Sequence, residues 1–267
     1  MKKLDPRLVL IINNSFLIIY SHFYFSIHKE LKLIVLTLGT ALLTELILVK
    51  IVRDSFDYYD RFLSAAASGL SVIILLRSDE LWFLPMVSFI AILSKYIFHI
   101  VRLRHFFNPT NFSIVLFLSF FSKYVIFDPD ALEKTWYLSL EVFLVGSFLI
   151  YWVGRWIVPF SYIIAAIVIS GVIHLFTGIK LYQLFGPEIG AGGMVFLFFM
   201  TCDPKTTPSK KLEQVFFGAF MAITAITLRM NEMLGAHFVA LFVTCWVYSL
   251  FRERGHFFKK TSGNLVY

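Results

Sequence analysis

The chain has 267 residues, 58% of them hydrophobic and only 15% charged, with a mean hydropathy of +0.78 and a formal charge of +7. The apolar share lies above, and the charged share below, that of ordinary globular domains, so the surplus must face lipid rather than fill a soluble core. The basic residues stand singly in short connections and form no stripe, which argues against a nucleic-acid partner and makes membrane topology their better explanation.

Apolar segments of roughly 17–22 residues, the length that spans a bilayer core, recur along the whole sequence. They lie near 8–27, 32–51, 62–77, 82–100, 111–127, 137–154, 157–177, 187–202, 212–230 and 233–251. Lys2, Lys3 and Arg7 precede the first, but no small-residue cleavage site follows it, so this helix is expected to be retained. The expected fold is all-α, a polytopic membrane protein of about ten transmembrane helices. The third and eighth spans are the shortest and the richest in small residues, Ser64 to Gly69 in one and Gly190, Gly192 and Gly193 in the other. Either fits a broken or half-inserted helix. They are equivalent if the chain divides five plus five, a pattern that points to two inverted repeats, about 8–127 and 137–251, with a short cytoplasmic tail at 252–267.

Alternate connections differ in Lys and Arg. One side carries Lys2, Lys3, Arg7, Lys50, Arg53, Arg61, Arg102, Arg104, Arg155, Lys205, Lys210, Lys211, Arg252, Arg254, Lys259 and Lys260. The other carries Lys29, Lys32, Arg77, Lys123, Lys134, Lys180 and Arg229. This bias predicts a multi-pass protein of the plasma membrane with both termini in the cytoplasm. Asp54, Asp57 and Asp60 share one connection at i, i+3, i+6, and a solvated helix face explains them better than a cation site. Cys202 and Cys245 make no CxxC pair, and no disulfide or metal site is expected.

Residues that can carry chemistry are few. Asn108-Pro109-Thr110 opens the fifth span and Asp203-Pro204 is read as opening the ninth, because an Asx side chain at N-cap accepts from a free N–H and Pro at N1 loses nothing by lacking one. Two well-capped helices are one reading. The other is that two helix starts on one membrane face, flanked by Thr110, Thr206 and Thr207, clamp an anionic or carbonyl-rich ligand. Lys95 lies in the fourth span, where an ionisable side chain faces the bundle interior or snorkels to the interface. Glu141 and His174 lie near span ends, and Arg229 with Glu232 has i,i+3 spacing. No catalytic nucleophile set, zinc spacing, Walker sequence or GxGxxG loop is present.

These residues resemble a family. Gly192-Gly193-Met194 leading into Phe199-Met200-Thr201-Cys202-Asp203-Pro204-Lys205-Thr206-Thr207-Pro208 resembles a Gly-rich span followed by a phrase like FMATDPVTSP in the RnfD/NqrB family, the integral-membrane subunits of ion-pumping electron-transport complexes. Ser94-Lys95-Tyr96-Ile97-Phe98 followed by Phe107-Asn108-Pro109-Thr110 resembles GKHVF and FNPA. Val145-Gly146-Ser147-Phe148-Leu149 and Trp156-Ile157-Val158-Pro159 resemble GGLYL and WRIP, and Arg229 with Gly235 resembles the start of the last span. The resemblance covers roughly residues 62–250.

It implies ten helices in two inverted five-helix repeats and a flavin in the membrane, with Asn108, Pro109, Thr110, Asp203, Pro204, Thr206, Thr207 and Lys95 as its site. The family's flavin-attachment phrase, SGAT, is missing from the connection at 127–136, where Thr135 stands alone, so the implied FMN or riboflavin is held without a covalent bond. The implied function is a small stand-alone relative serving as one membrane subunit of an electron-transport system, with other membrane or redox subunits as partners. N–H groups at the two helix starts would stabilise the negative charge of reduced flavin, with Lys95 or Arg102 adding to it. The same plan also suits a transporter of a flavin or similar planar metabolite, or an accessory membrane protein of a biosynthetic pathway.

Overall fold

The computed structural model describes residues 5–24, 31–52, 58–100, 107–125, 136–185, 190–204 and 206–262. Among them are eleven α-helices and no strand. They are α1 (Pro6–Tyr24), α2 (Leu31–Val52), α3 (Tyr58–Leu75), α4 (Phe83–Ile100), α5 (Pro109–Phe121), α6 (Trp136–Val153), α7 (Ile157–Thr177), α8 (Leu181–Phe185), α9 (Ala191–Val195), α10 (Lys211–Met230) and α11 (Ala236–Ser262). A 3-10 turn, Ser122–Tyr124, closes α5, and α9 runs on as a π-helical turn over Phe196–Met200. Four of the helices, α2, α6, α7 and α10, are long and apolar enough to cross a membrane.

Local chemistry sets the helix ends. Pro6, Pro85, Pro109 and Pro159 all fall in first turns, where a missing N–H costs nothing. Asn108 caps α5 as expected: its Oδ1 accepts from the N–H groups of Thr110 at 3.0 Å and Asn111 at 3.2 Å. Asp5 does the same ahead of Pro6, accepting from the Arg7 N–H at 2.9 Å, and the Arg7 guanidinium beside it holds its carboxyl below the usual range. Arg7 also reaches Asp60 at 2.7 Å, tying the start of α1 to that of α3. Asp54, Asp57 and the 127–135 part of the long connection lie outside the described residues.

The corner between α6 and α7 is a Schellman motif. Gly154 adopts φ +73°, its N–H bonds Tyr151 O at 3.1 Å, and the Arg155 N–H bonds Ile150 O at 3.0 Å. The end of α10 repeats the geometry with Glu232 at φ 57°, its N–H on Arg229 O and the Met233 N–H on Leu228 O. A side chain in that conformation is strained. Glu232→Gly is therefore expected to raise stability by about 1 kcal/mol, read as a higher melting temperature in detergent.

Packing joins helices within each half of the chain and across the middle. In the first five helices α1 packs on α3, α2 on α4 and α4 on α5; later α6 packs on α9, α7 on α10 and α10 on α11. Across the middle α1 meets α6, α3 meets α9 and α5 meets α11. Large side chains such as Phe83, Tyr162, Phe196, Phe198 and Phe238 are fully buried between these layers. Conversely, Phe148, Ile167, Leu175 and Phe216 stand exposed on the outer faces of α6, α7 and α10.

One expectation is corrected. The third span is one unbroken helix, α3, because Ala65, Ala66 and Ala67 are strong helix formers and Gly69 serves close packing: a Cβ there would stand 3.1 Å from that of Ala41. α11 runs on into the 252–267 tail as far as Ser262. The eighth span, by contrast, is irregular as its glycines suggest, passing from α into π geometry.

Candidate functional site

Asp203-Pro204 does not open the ninth helix. It opens a single turn, in which the Asp203 carbonyl accepts from the N–H groups of Thr206 at 3.1 Å and Thr207 at 3.0 Å, and α10 begins only at Lys211 with Lys210 as its N-cap. The reason is the second proline. Pro208 cannot donate to the Pro204 carbonyl, and it drives Thr207 out of the α region, so the turn cannot propagate. The Thr206 and Thr207 hydroxyls fold back onto the Asp203 carbonyl, at 3.4 and 2.7 Å.

The segment from Thr201 to Lys210 is pinned by the α6–α7 corner. Arg155 Nη2 donates to the Pro204 carbonyl at 3.5 Å, the one Pro208 leaves vacant, and the Cys202 thiol lies 3.9 Å from the Arg155 carbonyl. From the first turn of α10, Gln214 Nε2 donates to Gly154 O at 3.2 Å and Ser209 O at 3.3 Å. Thr201, Cys202, Thr206 and Thr207 are buried as a result.

Residues beside both Asx-Pro junctions pack into one cluster with α11. Cys202, next to Asp203, and Cys245 of α11 are buried in it, and Phe107, next to Asn108, packs against it. Asn111, one turn into α5, donates through Nδ2 to the Phe238 carbonyl of α11 at 3.1 Å. Beside Asn108 stands an aromatic group: Phe107 stacks on Phe242 at 4.5 Å and 12°, and Phe98 of α4 meets Phe112 edge-on at 4.9 Å. Two side-chain acceptors, Asn111 Oδ1 and Gln214 Oε1, are buried without partners. Their Nδ2 and Nε2 are engaged by carbonyls, so it is the oxygens that remain to receive a donor.

Thr110, behind Asn108-Pro109, is buried, and the residues flanking Asn108 and Asp203 share the main core cluster. Lys95 is not pointed at them: its Nζ donates to Ser64 Oγ at 3.0 Å and Ser64 O at 3.2 Å on α3. Its helix still reaches the site, because Phe98 lies one turn on. Elsewhere, Arg229 donates to the Leu184 carbonyl, His174 Nδ1 lies 2.8 Å from Ile179 O, and Glu141 Oε2 is buried without a partner. Among the described residues no three His, Cys, Asp or Glu side chains are grouped to hold a metal.

Sequence reasoning passes over Arg155, Gln214 and Glu45. The last is fully buried in α2 and accepts from Tyr96 Oη of α4 at 2.6 Å. Its signal is available, since an acid inside an apolar span invites the question asked of Lys95. Compared with family models and with curated proteins, the chain matches none.

Proposed function

We propose that the chain is a polytopic membrane protein of two inverted five-helix repeats that holds a flavin without a covalent bond at its cytoplasmic end, as one membrane subunit of an electron-transport system. The carrying observation is that Phe107 beside Asn108 and Cys202 beside Asp203, far apart in sequence, pack into one buried cluster with Cys245. Support for the repeats comes from the recurrence of α1–α3, α2–α4 and α4–α5 packing as α6–α9, α7–α10 and α10–α11. The Lys and Arg bias supports cytoplasmic termini.

The residues present fit the ligand. Asn111 Oδ1 and Gln214 Oε1 are acceptors for the imide N–H or the ribityl hydroxyls of a flavin, and Phe107, Phe242 and Phe98 offer ring faces and edges to its planar system. The first N–H groups of α5 are taken up by the Asn108 cap and Pro109 has none, so the helix offers the ligand its N-terminal dipole and no free donor. When bound, the flavin supplies the redox chemistry, and the protein supplies position and electrostatics. Buried Thr206 and Thr207 hold the Asp203 turn in shape, and Lys95 is a positive charge braced on α3 one turn from the aromatic group.

Substitution separates cap from site. Asn108→Ala is expected to cost about 1 kcal/mol through the lost cap, whereas Asn108→Asp keeps the cap but sets a negative charge beside the ligand. Asp203→Ala is expected to weaken flavin binding without that capping cost. Thermal shift with riboflavin or FMN measures both, and equal ligand shifts in all three variants and wild type would remove the site. The distorted α9 favours a transport reading as the alternative. Uptake of labelled riboflavin into proteoliposomes decides between them, since a fixed redox subunit moves none.

A further inference from the structure

The middle of α1 carries two adjacent carboxamides where lipid-compatible side chains would cost less. Asn13 is 4% exposed and Asn14 is fully buried. Asn14 Nδ2 reaches Ser71 Oγ of α3 at 3.3 Å, but Asn14 Oδ1 and both polar atoms of Asn13 are buried with no hydrogen-bond partner. Their surroundings are apolar: Leu17 and Ile18 one turn on, packed with Leu70 and Ile73 of α3, Val142 of α6 and Val195 of α9. Dry, each unpaired atom costs about 1–3 kcal/mol, and no polar network around it offsets that cost.

This is also where α1 meets α6 and α3 meets α9. Binding sites of membrane proteins built from repeats lie at such junctions, often beside an irregular helix, and α9 passes from α into π geometry here. Gly192 of α9 has no heavy atom within 4 Å of where a Cβ would stand. Between Arg7 and His22, α1 carries no ionisable side chain, so an ion would find no counter-charge along this stretch of it.

We infer that Asn13, with Asn14 braced by Ser71, is a binding site for a small neutral ligand that presents an N–H donor beside a C=O acceptor, an amide or imide edge. A primary carboxamide pairs with such an edge through two hydrogen bonds, Oδ1 accepting and Nδ2 donating. The site is separate from the Asn108–Asp203 region and goes beyond the flavin reading.

Radiolabelled uracil, a compact neutral imide, is the probe, measured by scintillation proximity on the full chain in detergent. Wild-type protein is expected to bind it saturably, and Asn13→Leu to weaken binding about tenfold or more through loss of two hydrogen bonds. Ser71→Ala, which frees Asn14 while leaving Asn13 intact, is expected to weaken it less. Asp203→Ala should leave uracil binding unchanged while losing flavin, so this site and the flavin site fail independently. Folded wild-type protein that binds no uracil overturns the inference, as does binding by Asn13→Leu equal to wild type. Ordered water alone at Asn13 in a density map, with no uracil bound, overturns it as well.

Discussion

Gly218→Ala is expected to destabilise the protein by about 3 kcal/mol, a large loss for one methyl group. Gly218 is where α10 crosses α7 most closely: a Cβ there would overlap Ser161 Oγ and the Val158 carbonyl and stand 2.9 Å from Tyr162 N. Ser161 is itself fixed, donating to Val158 O at 2.9 Å and Gln214 O at 3.3 Å, so main chain rather than a flexible side chain would have to yield. Pushing α10 outward also withdraws Gln214 from Gly154 and Ser209, and so loosens the Asp203 turn. Gly171→Ala is the control. It lies in α7 with nothing within 4 Å of its Cβ position, and helix propensity alone predicts a gain of up to about 1 kcal/mol. Unfolding of the two variants in detergent measures the contrast, and a Gly218→Ala protein as stable as wild type would mean that the helices are not so closely crossed.

Tyr96→Phe is expected to cost about 2 kcal/mol, because it leaves the buried Glu45 Oε1 without its donor while Oε2 already has none. Glu45→Gln keeps an acceptor for Tyr96 and should cost less. The double variant Glu45→Leu with Tyr96→Phe is the most informative. Removing both partners from an apolar layer formed by Ala41, Ala65 and Ile92 is expected to restore most of the stability, so the two losses are strongly non-additive. Simple additivity in the double-mutant cycle would show that the 2.6 Å contact between Tyr96 and Glu45 carries no coupling.

Hydrophobic runs make the helices legible. The seventh apolar span, 157–177, coincides with the helix Ile157–Thr177, which Gly178 stops at φ 72°. Asn108-Pro109 is equally legible, since cap and N1 proline are local chemistry. Asp203-Pro204 misleads when the dipeptide is judged without Pro208, four residues on, whose effect is still local. Asp5-Pro6 is the closer counterpart of Asn108-Pro109, and the same pattern announces it. What no local pattern holds is tertiary: that Cys202 and Cys245 share one buried cluster, that Gly218 admits no Cβ, or that Gln214 ties α10 to the α6–α7 corner. These depend on which helices cross, and the apolar runs of this chain are too alike to specify their neighbours.

The flavin proposed to sit in the helix bundle without a covalent bond must leave the chain on denaturation. The direct measurement is to purify the protein in mild detergent, denature it, and assay flavin in the supernatant and on the precipitated chain. Stoichiometric flavin is expected in the supernatant and none on the chain. No flavin in either fraction, together with no quenching of riboflavin or FMN fluorescence by the folded protein, would contradict it.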